Sequence, residues 1–225
     1  MPRRSPLLTW THGDRNGPPV LLLHDRYDNP GGMPVDRLPS GARVVCVRSA
    51  RTQMTGADTL GHFWFLGPYD RPEPTTFGDG LHHLETLLVD LSFGAGKARS
   101  FIIGKGEGGV MALTLATIWP ELLAGVVSID GPLPQTLGSL PIEPRPPLRL
   151  PVLLLEQARS MAGAAAALSG LGAEVDLRKV GDQPMRAALD WLDLLIGRTQ
   201  ALTHGTTSSR PGAEDVRHDE AKIAT

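Results

Sequence analysis

The residues of this chain with the clearest chemical implication are Ile103-Gly104-Lys105-Gly106-Glu107-Gly108-Gly109, which follow one apolar run and precede a helical pattern. Two kinds of chemistry fit such a strand–turn–helix. Gly104, Gly106 and Gly109 spell G-x-G-x-x-G, and Asp130 ends the next apolar run, so a helix N-terminus could hold a dinucleotide diphosphate while Asp130 meets the ribose. Alternatively the turn is a G-x-S-x-G nucleophile elbow with glycine, Gly106, at the serine position. The first reading implies a nucleotide-binding oxidoreductase. The second implies an acyl-transfer architecture without its hydroxyl.

Other reactive side chains have simpler explanations. Glu107, just after the turn, is a candidate acid, base or carboxylate nucleophile. It would equally stabilise a helix N-terminus by its charge. Lys105 could pair with a substrate anion or form a Schiff base, but a solvated side chain or a salt bridge with Glu107 is the simpler reading. His82 and His83, with Glu85 nearby, are adjacent on a helix and point to different sides, so no metal site is expected. His24 closes an apolar run and reads as structural. His62, near Trp64 and Phe65, is the histidine placed to reach a cleft, and it joins Glu107 as a candidate for catalysis. The single cysteine, Cys46, lies inside Val44-Val45-Cys46-Val47 and reads as a small buried hydrophobe.

The elements that must position these residues alternate along the chain. Val20–His24, Arg43–Val47, Ser100–Ile103, Gly125–Ile129 and Val152–Leu155 are continuous apolar runs, the pattern of strands covered on both faces. Glu174–Val180 alternates and belongs nearer an edge. Leu81, Leu84, Leu88 and Leu91 repeat at helical spacing. Gly109–Trp119, Met161–Leu171 and the stretch carrying Leu189, Leu192 and Ile196 are further helices. Strand–helix alternation predicts an α/β fold, a mostly parallel sheet flanked by helices. Residues 49–75 read as a long loop and Pro132–Pro151 as a surface excursion. A domain over 1–200 and a disordered tail over 201–225 are expected.

Composition narrows the function further. Twenty-two basic against 24 acidic residues give a formal charge of -2, and only 5% of residues are aromatic, which argues against a nucleic-acid partner. No segment is long and apolar enough for a membrane span or a signal peptide, and one cysteine permits no intrachain disulfide, so a cytoplasmic protein is expected. Nothing calls for a cofactor, and oligomeric state is unspecified.

Several stretches in order resemble the small bacterial carboxylesterase/phospholipase family of α/β hydrolases. Leu21-Leu22-Leu23-His24-Asp25 resembles the family's strand ending in His-Gly before the oxyanion loop. Trp64-Phe65 falls at its aromatic pair beside the site. Pro120 to Val127 resembles its helix-to-strand signature, and Pro151 to Leu155 the strand that delivers its acid. The resemblance covers residues 7–197 and implies a single domain without a large cap. It places the nucleophile on Gly106, the acid on Ser160 and the base on Asp182 or Gln183. On that alignment every triad position is replaced, and a triad needs a nucleophile, a base and an orienting group. The resemblance also implies an oxyanion-type pair of N–H groups, from Glu107 and from Arg26. Asp25 stands where the family has glycine and is expected to repel an anion, as is Glu107.

The expectation is therefore a non-hydrolytic protein that binds a small ligand or a protein partner through the old cleft. The alternatives are a lyase, isomerase or cyclase using Glu107, His62, Asp25 or Asp182, a residual esterase using Ser49 or Ser160, and the dinucleotide-binding oxidoreductase.

Overall fold

The structure is a computed structural model that describes residues 7–28, 38–94, 98–139 and 143–205. The continuous apolar runs become β2 (Pro19–Leu23), β3 (Arg43–Arg48), β6 (Ser100–Lys105), β7 (Leu123–Ile129) and β8 (Pro151–Glu156). With β1 (Leu8–Gly13) and β9 (Glu174–Lys179) they form one seven-stranded sheet in the order β1-β3-β2-β6-β7-β8-β9. All neighbours are parallel except β1, which pairs antiparallel with β3. The apolar runs are continuous because successive residues face two separate cores. Leu21, Leu23, Val45 and Ile102 pack with Leu81, Leu84 and Leu88 of α1 (Pro74–Gly94), Val110 and Leu113 of α2 (Glu107–Ile118) and Leu168 of α3 (Ala162–Gly170). Val20, Leu22, Val44, Cys46 and Phe101 pack with Ala188, Leu189, Leu192 and Ile196 of α4 (Pro184–Gly205). Each such fully buried Leu, Ile or Val contributes about 1.5–3 kcal/mol relative to exposure.

α2 is buried at every residue, which explains its lack of any polar stripe. It crosses against the centre of the sheet, and its start is pressed onto β2, where a Cβ on Gly108 would overlap the Leu23 carbonyl. This close approach brings the turn before α2 up against the loop that follows β2.

Two expectations from sequence need correction, and one strand was not anticipated. Residues 49–75 are not a long loop: Arg51–Thr55 (β4) and Asp58–Phe63 (β5) form an antiparallel hairpin, and α1 begins at Pro74. The hairpin strands RTQMT and DTLGHF are mostly polar, and their few apolar residues, of which Met54 and Leu60 are exposed, form no continuous run. β1 was missed for a similar reason, since all six of its residues are exposed on an edge strand. The tail does not begin at 201, because α4 continues to Gly205; residues 206–225 lie outside the described residues.

Candidate active site

The turn between β6 and α2 has Gly106 at φ 50° and ψ -113°, the strained strand-to-helix bend of a nucleophile elbow. Glycine adopts this conformation without the Cβ penalty that any other residue carries at positive φ. The space in front of Gly106 is filled from another element. A Cβ built on Gly106 would overlap Oδ1, Cγ and Oδ2 of Asp25, from the loop after β2. The Asp25 carboxylate thus occupies the volume that a nucleophile's side chain would take.

It also occupies the anion site. Asp25 Oδ1 accepts hydrogen bonds from the Arg26 N–H at 2.7 Å and the Glu107 N–H at 3.0 Å. The two N–H groups expected to form an oxyanion-type pair do converge, and the atom they converge on belongs to the chain itself. The Tyr69 hydroxyl donates to the same oxygen at 2.7 Å. Tyr69 is half-buried, and burial first, then its bond to the Asp25 carboxylate, pushes its hydroxyl up to about 12. The Arg159 guanidinium, from the loop after β8, sits 4.2 Å from the Tyr69 ring centroid, and Arg26 lies 5.2 Å from it. The expectation that Asp25 would repel an anion at this site understates its role. Asp25 is the anion.

Glu107 does not face the cleft. Its side chain is fully buried, with Oε1 paired to Arg26 Nε and Oε2 accepting the Trp64 N–H at 2.7 Å. Burial raises its pKa, opposed by the Trp64 N–H and the Arg26 guanidinium. Arg26 completes its fork by donating to the Gly67 carbonyl at 2.6 Å, so this ion pair ties three chain segments together. Lys105 pairs with Asp28 at 3.6 Å, not with Glu107 as expected.

His62, on β5, meets Thr52 Oγ1 through Nδ1 at 3.2 Å and lies edge-on to His24 with ring centroids 6.3 Å apart. Its contacts and those of Glu107 do not overlap, so the two candidates for catalysis do not form one constellation. His24 is buried and fully engaged: Nδ1 bonds the Asp25 carbonyl at 2.7 Å and Nε2 accepts the Ser49 N–H at 3.1 Å. That pattern places the proton on Nδ1, and burial lowers the pKa of both histidines. Trp64 and Phe65 are only 1% and 0% exposed, so they support the site from the core and do not line a cleft. Trp64 stacks on His24 and donates its indole N–H to the His24 carbonyl.

The other positions to which the resemblance assigned triad roles have separate surroundings. Ser160 is exposed, donates to Glu156 Oε1 at 3.2 Å and lies beneath the start of α3. Asp182 is exposed in the turn before α4. Ser49 is buried, with its hydroxyl on the Arg51 carbonyl. Asp130, at φ 55°, accepts the N–H groups of Gln157, Ala158 and Arg159 at 2.8–3.1 Å. Both features of the dinucleotide reading are therefore engaged internally. The Glu107 N–H goes to Asp25, the Gly108 N–H to the His24 carbonyl at 3.1 Å, and Asp130 faces a backbone loop.

Comparison with known proteins bears on this geometry. A protein of Nocardia uniformis subsp. tsuyamanensis that carries the provisional name esterase NocK is 32% identical over 217 residues, 92% of this chain and 55% of that protein. The chain thus spans about half the length of this curated relative. A carboxylesterase from Mesorhizobium loti superposes with a TM-score of 0.65 at 19% identity, over 84% of this chain and 99% of that one. The Bacillus cereus carboxylesterase superposes at 0.63 and 15%, over 86% and 95%. The chain has the α/β-hydrolase fold. Acyl-protein thioesterase 2 of Zea mays shares this α/β-hydrolase architecture at a TM-score of 0.63 and 16% identity, over 84% of this chain and 99% of that one. No protein-family model matches the chain.

Tyr69 and Arg159 are the site residues that sequence reasoning missed. Neither lies in a motif; Tyr69 reaches Asp25, and Arg159 reaches Tyr69, only through the folding of separate loops. The signal available was Asp25 itself, an acid where the resembling family keeps a glycine.

Proposed function

We propose that this α/β-hydrolase-fold chain is a non-hydrolytic relative of the carboxylesterases that acts by binding, to a small ligand or a protein partner. One observation carries this reading: the Asp25 carboxylate fills the space in front of Gly106 and accepts both oxyanion-type N–H groups. An acyl ester needs a nucleophile at that point and free donors for the developing oxyanion. Here a side chain of the protein replaces the first and occupies the second. The alternative of another enzyme class through Glu107 loses support from the burial of Glu107 against Arg26 and Trp64.

The same reading assigns a reducing, cytoplasmic environment, supported by the buried free thiol of Cys46. Among the described residues no helix is long and apolar enough to cross a membrane.

The test is labelling by a fluorophosphonate probe together with release of nitrophenol from short-chain nitrophenyl esters. No serine is expected to be labelled, and ester cleavage is expected at the buffer rate. Stoichiometric labelling of any serine, with cleavage abolished when that serine becomes alanine, would overturn the proposal.

A further inference from the structure

We infer that the outer edge of β9 is a self-pairing surface, on which β9 of a second copy of this chain docks antiparallel and joins the two sheets into one.

β9 ends the sheet, and among the described residues no strand pairs with its outer side. The Glu174 N–H goes to the Leu150 carbonyl and the Val180 N–H to the Glu156 carbonyl, at the two ends of the parallel pairing with β8. Between those bonds, the two-residue period of a parallel ladder turns the N–H and C=O groups of Val175, Leu177 and Lys179 outward. Such an open row is a template for another strand, and charged side chains commonly guard it. On β9 the charges select a partner instead.

The side chains of β9 divide between two faces. Glu174, Asp176 and Arg178 line a depression of about 260 Å³ together with Trp191 and Leu194 of α4. Val175 packs on the other face, against the core that holds α3, and Leu177 shares that face while remaining 40% exposed. A two-fold axis perpendicular to the sheet preserves these faces, so each residue meets one from its own face. With the axis at Leu177, the two Leu177 residues exchange backbone bonds and bring their exposed side chains together. Val175 meets Lys179 of the second copy. On the α4 face, Asp176 meets Arg178 of the second copy, and symmetry repeats the pair.

Other registers fail on charge. An axis at Asp176 sets Asp176 against its own copy, and one at Arg178 sets Arg178 against its own copy. An axis at Val175 opposes Asp176 to Glu174, and one at Lys179 opposes two lysines. Opposite charges directly across an antiparallel pair stabilise it, and like charges destabilise it. One register survives. In the single chain Asp176 and Arg178 pair with each other at the surface, so both are within reach of a second copy and little folding stability depends on them. Leu194, 66% exposed on the rim of the depression, adds an apolar side chain from each copy on the same face.

The test is sedimentation velocity of the full chain from about 1 to 500 μM, the range in which a modest interface shows. A monomer–dimer equilibrium is expected, and hydrogen exchange at the Val175, Leu177 and Lys179 amides should slow as concentration rises. Asp176→Arg alone and Arg178→Asp alone each set like charges opposite one another and should weaken the dimer at least about 10-fold. An equal mixture of the two single variants should form a heterodimer, and the double variant should recover self-association, because opposite charges then face each other again. Urea denaturation of each variant at low concentration checks that the fold is kept. A monomer throughout the range overturns the inference. A dimer indifferent to both charge reversals also overturns it, because the contact then lies elsewhere. Protection of the three amides that does not change with concentration overturns it as well, by showing that another segment of the same chain covers the edge.

Discussion

Gly106→Ala isolates the contact between the elbow and Asp25. An alanine Cβ collides with the whole Asp25 carboxylate, so Asp25 must leave its three donors. Hydrogen bonds to a charged group are worth about 1.5–3 kcal/mol each, but a half-buried carboxylate and the freed N–H groups recover much of this from water. Retaining roughly one such bond's worth of loss, and adding about 1–3 kcal/mol for a non-glycine residue at φ 50°, gives a total cost of about 3–5 kcal/mol. For a chain of this size that lowers Tm by about 10–15 °C. Asp25→Gly alone should cost about 1–3 kcal/mol through its lost hydrogen bonds. In the double variant the collision is gone, so Gly106→Ala costs only its backbone strain. The cycle should then show a favourable coupling of about 2 kcal/mol in urea denaturation. Strict additivity, within about 0.5 kcal/mol, would refute the claim that the carboxylate occupies the elbow's side-chain space.

Other perturbations test the surrounding network. Glu107→Ala should destabilise by about 2–4 kcal/mol, because it strands a partly buried Arg26; a loss under about 1 kcal/mol would mean that the ion pair is not formed. Burial raises the Glu107 pKa, so the folded state binds that proton more tightly than the unfolded chain. Relative to Glu107→Gln, the wild type should therefore lose stability as pH rises through the folded pKa of Glu107, a trend read from paired denaturation curves from pH 4 to 7. Glu73 behaves oppositely: bonds from Thr76 and Thr75 at the start of α1 lower its pKa to about 2. Its contribution is complete above the ordinary carboxylate range and is lost as pH falls toward 2, and Glu73→Gln should flatten that acid limb. Burial lowers the His24 pKa, so acid should destabilise the wild type below the ordinary histidine range more than it destabilises His24→Gln.

The elements that position the site were legible because their signals are local. β2, β3, β6, β7 and β8 announce themselves as continuous apolar runs, since both of their faces are covered. The elbow at Gly106 could be read as one of two motifs, and strand order and backbone angles separate them. β1, β4 and β5 were not legible, because they are wholly or partly exposed and so carry no continuous apolar run. Within the site, the convergence of the Arg26 and Glu107 N–H groups followed from the family resemblance. What fills that convergence did not, because the Asp25, Tyr69 and Arg159 side chains meet only once three distant loops are in place. Glu107 misled for the opposite reason: adjacency to the elbow suggests access to the cleft, whereas its side chain turns into the core.

The nest at Asp130 has a consequence for how freely the loops around the elbow can rearrange. Asp130 clamps the backbone of residues 157–159, and Glu156 holds the Met161 N–H, so the loop after β8 is locked by acids from neighbouring strand ends. Asp25 locks the elbow in the same manner. A serine placed at Gly106 would leave the Asp130 clasp shut, and removing either acid alone would weaken the folded chain. Opening either loop to a bound ligand therefore requires breaking an internal carboxylate clasp first.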